Sequence, residues 1–141
     1  MSYDNDNIFA KILRNEIPCE RVYEDEHTLV FMDIMPRADG HVLVIPKTPA
    51  RNVLDATPQQ LASCMATVQK LSHALMKAFG AGGITIQQFN EVAGGQEVFH
   101  LHFHVLPRQA GVKLRPPGNM EKPEVLKQHA DRIRTALPTL T

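Results

Sequence analysis

The residues best equipped for chemistry lie in one run, His100-Leu101-His102-Phe103-His104-Val105-Leu106. Three histidines alternate with apolar residues. Period-two alternation marks a β-strand whose two faces carry different side chains. It predicts that Leu101, Phe103 and Val105 face a core, with His100, His102 and His104 on the opposite face. A rise of about 3.3–3.4 Å per residue sets neighbouring histidines roughly 7 Å apart and the outer pair roughly 13 Å apart. Zinc needs imidazole nitrogens at about 2.0–2.1 Å, so three histidines on one straight strand converge poorly on a metal. A central histidine with a helper on each side is the easier geometry. Imidazole can serve as nucleophile, acid, base or donor near neutral pH. The plainer alternatives are a solvent-facing histidine-rich strand or a remnant metal site.

Other candidates surround the run in sequence. A phosphate needs backbone N–H groups that it can approach closely, and glycine permits that approach. Gly94-Gly95-Gln96 supplies such a loop just ahead of the histidines. Asn90 reads either as a turn residue or as a donor to a phosphate or its leaving group. Asp33 ends a strand-like stretch, and His41 opens another. On residue type alone, each could be structural. Arg108 and Arg115 follow the run and read first as exposed surface arginines. His27, His73 and His129 match nothing functional.

The elements that must position these residues follow from spacing. Asn5 to Asn15 reads as a short helix with Ile8, Phe9, Ile12 and Leu13 on one face and Asp4 or Asp6 as cap. Strands are expected over Arg21–Glu24, Thr28–Ile34, His41–Ile45, Ile84–Phe89 and Val98–Leu106. Thr57-Pro58-Gln59-Gln60 opens a long helix, with Thr57 as cap and Gln60 completing a capping box. Leu61, Met65, Val68, Leu71, Leu75 and Phe79 follow at helical spacing, and Gly80 ends it. Residues 107–120 are rich in proline and glycine, and a last amphipathic helix is expected over Pro123–Leu137. A mostly antiparallel sheet with one long helix and helical ends is an α+β domain.

Bulk properties bound the function. The chain has 141 residues, which suits a single domain over 1–141, with a core about 7–108 and a C-terminal extension about 109–141. Fifteen basic and fifteen acidic residues give a formal net charge of zero. Nothing there marks a nucleic-acid or membrane-surface binder. The polar, acidic start Met1–Asp6 does not read as a signal peptide, and the expected setting is cytoplasmic. Cys19 and Cys64 are far apart and form no C-x-x-C pair, so each reads as a small buried apolar residue.

The run H-L-H-F-H-V-L resembles the histidine triad motif, H-φ-H-φ-H-φ-φ, of the HIT superfamily of nucleotide hydrolases and transferases. The similarity extends from about Asn7 to about Pro117. It includes Ile8-Phe9-Ala10-Lys11-Ile12, Phe31-Met32-Asp33-Ile34, His41-Val42-Leu43-Val44-Ile45-Pro46-Lys47 and Gly95-Gln96. In style it is closest to the bacterial, Hint-like branch, while Leu106-Pro107-Arg108 is similar to the fragile-histidine-triad branch.

The resemblance implies a five-stranded antiparallel sheet with one main helix plus N- and C-terminal helices. It also implies a homodimer joined through the long helix and the strand beside it. It implies a nucleoside 5′-monophosphoramidate hydrolase working through a nucleotidyl-histidine intermediate. His102 would be the nucleophile, His104 a donor to phosphoryl oxygens, and His100 an orienting group that helps move a proton to the leaving group. Asp33 would accept from ribose hydroxyls, and Ile8, Phe9, Phe31 and Ile34 would hold a purine base. His41 would lie beside the triad, and Asn90, Gly95 and Gln96 would border the phosphate. No cofactor and no metal are implied. Several bacterial members bind a structural zinc through an N-terminal C-x-x-C, but Asn7-Ile8-Phe9-Ala10 stands at that stretch here. Glu97 departs from the serine or threonine common in Hint-like members and would favour a cationic leaving group. The alternatives are a diadenosine polyphosphate hydrolase, a non-catalytic nucleotide-binding or scaffold protein, and a histidine-based metal hydrolase.

Overall fold

The computed structural model describes residues 2–138. Five strands form one antiparallel sheet: β1 (Arg21–Glu24), β2 (Thr28–Met32), β3 (Val42–Pro46), β4 (Gly83–Gln87) and β5 (Phe103–Arg108). Their order across the sheet is β1-β2-β3-β5-β4. Three helices, α1 (Ile8–Leu13), α2 (Pro58–Phe79) and α3 (Pro123–Ala136), complete the α+β fold. A 3₁₀ turn spans Val92–Gly94. No helix among the described residues is long and apolar enough to cross a membrane.

All five residues of β2 and all five of β3 are buried, because both faces of the sheet are covered. On one face, Val30, Val44, Phe103 and Val105 pack with Val68, Leu71 and Leu75 of α2 and Leu126, Ala130 and Ile133 of α3. On the other, Leu29, Phe31, Leu43 and Ile45 pack with Phe9 and Ile12 of α1. Each large side chain so buried contributes about 1.5–3 kcal/mol relative to exposure. Leu101, Phe103 and Val105 all join the first core, so the alternation reads the faces as expected.

The helix ends follow local chemistry. Thr57 accepts from the Gln60 N–H and Gln60 returns a bond to the Thr57 backbone, the expected capping box, and Gly80 ends α2 at φ 56°. Helix α1 is shorter than its apolar spacing suggests. Its cap is Asn7, which accepts from the Ala10 N–H at 2.8 Å, rather than Asp4 or Asp6. Asn15, at φ 62°, turns the chain out of the helix. Met65, expected on the packed face of α2, is exposed, and Cys64 is buried in its place.

The connection from β2 to β3 carries Asp33, Ile34 and His41. It closes where the Asp33 N–H donates to the His41 carbonyl at 3.0 Å. Gly40 lies within it at φ 86°, where a Cβ would stand 2.5 Å from Phe79 Cε2. The C-terminal segment crosses the same loop. The Arg115 N–H donates to the Arg37 carbonyl, and the Glu121 N–H donates to the Ile34 carbonyl. The histidine strand begins at Phe103 rather than Val98, because residues 98–100 bend.

Candidate active site

Pairing β3 against β5 sets Leu43 opposite His104, and pairing β4 against β5 sets Gln87 opposite the same residue. His102, two residues earlier, shares that face. The His102 and His104 rings stand 5.1 Å apart at 65°. Helix α1 covers the face, and the Phe9 ring meets His102 edge-on at 4.9 Å and 87°.

Backbone partners settle which ring nitrogens carry hydrogen, since a carbonyl can only accept and an amide N–H can only donate. His102 Nδ1 lies 2.7 Å from the His100 carbonyl, so it donates, and its Nε2 keeps a lone pair. The Arg37 N–H donates to His41 Nδ1 at 3.1 Å, which places the hydrogen of neutral His41 on Nε2. That nitrogen lies 2.9 Å from His104 Nδ1, which accepts. His104 therefore carries its hydrogen on Nε2. The relay from Arg37 through His41 leaves one imidazole with a free lone pair beside one with a free N–H. A nucleophile and an electrophilic donor require this pair of tautomers.

Burial also sets the charge. It pushes His41 down to about 3, with help from the neighbouring His104. It pushes His100 and His104 down to about 4, and it lowers His102 in the same direction. The triad is uncharged at neutral pH. The 3.4 Å contact between His41 Nε2 and Asp33 Oδ2 is accordingly no ion pair. Burial raises the Asp33 carboxyl, and the charge of exposed Glu97 adds to that rise.

The other sequence candidates divide. Ile8 and Ile34 are 42% and 45% exposed and open to a ligand. Phe31 is core, and Phe9 is both core and the wall of His102. Asp33 spends Oδ1 on the Met35 N–H at 2.8 Å. His100 is 0% exposed, with Nε2 donating to the Pro46 carbonyl at 2.9 Å and Nδ1 facing the Tyr3 hydroxyl at 2.6 Å. Both ring nitrogens are thus bonded, and neither is left to move a proton to a leaving group. Arg108 binds Thr85 and the Val112 carbonyl, and Arg115 pairs with Asp39, so neither guanidinium is spent on the triad.

The glycine loop also differs from expectation. The N–H groups of Gly94, Gly95 and Gln96 all donate within the loop, to Glu91 and Val92 carbonyls. The Gln96 side chain is spent as well. It accepts from Asn52 Nδ2 and the Glu91 N–H, and it donates to the Arg51 and Val98 carbonyls. Asn90 Oδ1 accepts from the Val53 N–H and Gln88, and its Nδ2 donates to Gln88. Glu91, at φ 64°, makes the turn and is clamped by Arg51 at 2.7 Å and Asn52 at 2.6 Å. The unpaired backbone donors lie one step later. Among the described residues, the Glu97, Val98 and Phe99 N–H groups have no partner. Residue types alone do not single out Tyr3, the Arg37 N–H or the Arg51–Glu91 clamp.

Asp33, His41 and His104 offer ligand atoms within 4.8 Å of one another. A metal ligand needs a lone pair, and the Nε2 that His41 turns toward His104 carries its hydrogen. Freeing it would set the other ring hydrogen against the Arg37 N–H. The donor set fits a relay better than a cation.

The HIT domain model matches residues 14–111. The chain belongs to the HIT family. A HIT-like protein of Methanocaldococcus jannaschii is 42% identical over 86% of this chain and 96% of its own. The adenosine 5′-monophosphoramidase of Schizosaccharomyces pombe is 32% identical over 92% of this chain and 97% of its own. The crystal structure of a HIT-like protein from Bartonella henselae superposes with a TM-score of 0.94 at 53% identity, covering 97% of this chain and all of that one. Membership in the HIT family accords with the sheet order and with the triad placed on β5 and its approach.

Proposed function

We propose that this HIT protein hydrolyses nucleoside 5′-monophosphoramidates through a nucleotidyl-His102 intermediate. The observation that carries the reading is the bond from His102 Nδ1 to the His100 carbonyl at 2.7 Å, which leaves Nε2 unprotonated beside the His104 N–H. His102 Nε2 attacks the phosphorus, the P–N bond breaks, and the amine leaves with a proton from water. Water then cleaves the N–P bond to His102 and releases the nucleotide. His104 Nε2–H stabilises charge growing on the phosphoryl oxygens. The free N–H groups of Glu97, Val98 and Phe99, just ahead of the triad in the chain, would serve as further donors to the phosphate. Asp33 Oδ2 suits a pair of ribose hydroxyls, and Ile8 and Ile34 suit the flat faces of a purine. The phosphoramidase activity named for the S. pombe relative supports the substrate class.

Intact mass after brief incubation with an adenosine phosphoramidate, quenched in base, tests this. An added adenylyl group on the parent, unaffected by chelator, is expected. Product formed without an adduct and only in the absence of chelator would mean metal hydrolysis instead.

We also propose a homodimer through α2 and β4. A concavity of about 450 Å³ there is lined by Met65, Val68, Gln69, Ser72, His73 and Ile86 and lies away from the triad. Met65, Met76 and Ile86 are exposed. Light scattering on Met65→Glu with Ile86→Glu should report a monomer, against a dimer for the parent; equal masses would sink the assignment.

A further inference from the structure

Tyr3 lies outside every motif, yet it makes the most direct side-chain contact with the triad from a distant part of the chain. Its hydroxyl is 2.6 Å from His100 Nδ1 across 97 positions of sequence. Its ring meets the imidazole edge-on, with centroids 5.6 Å apart at 69°. Since His100 Nε2 already donates to the Pro46 carbonyl, Nδ1 offers only a lone pair, and the tyrosine O–H must donate. Nothing else among the described residues bonds that nitrogen.

The segment that carries Tyr3 is strapped at several points. Arg51 Nη1 donates to the Ser2 carbonyl at 3.3 Å, and Arg14 Nη1 donates to the Asn5 carbonyl at 2.9 Å. Asn7 Nδ2 donates to the Asp4 carbonyl at 2.8 Å. The same Arg51 clamps Glu91 and stacks over Phe99, 4.3 Å from the ring centroid, so the strap and the loop before the triad share an anchor. Burial raises the Tyr3 phenol above its ordinary value, which keeps it a donor.

We propose that Tyr3 is a positioning residue for the nucleophile. It holds the His100 ring between a hydroxyl and the Pro46 carbonyl. The main chain of His100 is thereby fixed, and its carbonyl stays in line with His102 Nδ1–H. That bond selects the tautomer and the direction of His102 Nε2. Without the hydroxyl, His100 keeps a buried acceptor with no partner, and the carbonyl loses one of the constraints on its aim. The proposal rests on His102 as nucleophile, but the contact itself can be read without substrate.

Tyr3→Phe tests it by two readouts. In 1H–15N spectra of the imidazole rings, His100 Nδ1 should move toward the position of an unbonded nitrogen, and the His102 Nδ1 hydrogen should exchange faster with water. In single-turnover reactions with an adenosine phosphoramidate, adenylylation of His102 should slow about tenfold with KM unchanged, as expected for a small loss of aim. Unchanged His102 ring signals would overturn the proposal, and so would parental adenylylation or a rise in KM alone. If the parent itself forms no adduct, the substrate reading fails, and the His102 ring signals alone decide the positioning role.

Discussion

Replacing His102 with glycine should lower turnover of an adenosine phosphoramidate on the order of 10⁴-fold or more, with no adduct detectable by mass. In the proposed mechanism this removes the covalent nucleophile and with it the two-step path, and such knockouts are among the largest single-residue effects known. The geometry gives no substitute. His100 has both ring nitrogens occupied, and His104 turns Nδ1 toward His41, leaving only an N–H for the ligand. The loss should fall on kcat, because Asp33, Ile8, Ile34 and the free N–H groups remain to bind. His104→Ala should cost less, on the order of 10²–10³-fold, the usual scale for one electrophilic donor. Near-ultraviolet circular dichroism should confirm that both variants stay folded. A His102→Gly protein that turns over at even a hundredth of the parental rate would show that another group attacks phosphorus.

The division of labour among the three histidines was only partly legible in the sequence. Alternation identified the faces correctly, because Leu101, Phe103 and Val105 must all meet α2 and α3 whatever else the chain does. It could not separate His100 from the other two. The strand begins only at Phe103, and the bend at 98–100 turns His100 toward Tyr3 and Pro46. A partner 97 positions away leaves no local trace. The bonding of the glycine loop was hidden for a related reason. Gly94 and Gly95 can approach a phosphate, but the Glu91 turn folds their N–H groups inward and passes the open donors to Glu97, Val98 and Phe99. Apolar spacing placed Ile8 and Phe9 together on α1. Only packing against Phe31 and Leu43 decides that Phe9 is interior and Ile8 faces outward. His41 was visible as a histidine at a strand start. Its function as a tautomer relay depends on the Arg37 N–H, which no residue type encodes.

Acid should unfold this protein earlier than it unfolds domains held by carboxylate pairs. Burial holds His41 near 3 and His100 and His104 near 4, against about 6.5 in the unfolded chain. Between those values the unfolded state binds more protons than the native state. Stability is therefore complete above about pH 6.5 and falls as the pH drops toward the folded values. Each such histidine costs about 1.4 kcal/mol per pH unit in that window. Three acting together remove on the order of 5 kcal/mol by pH 5, a large share of the roughly 5–15 kcal/mol typical of a domain. Asp33 works the other way, since its carboxyl is raised by burial and is relieved on protonation, so the net slope is somewhat shallower. Urea unfolding at several pH values from 7.5 to 5 measures this directly, and a flat free energy across that range would mean that the triad is hydrated or already paired with protons. His104→Gln adds a discriminating arm. It should reduce the slope by about one proton, since the glutamine amide does not titrate, while its NH2 group still offers a donor. The burial that keeps His102 neutral, as the proposed nucleophile must be, is thus the same burial that makes the fold sensitive to acid.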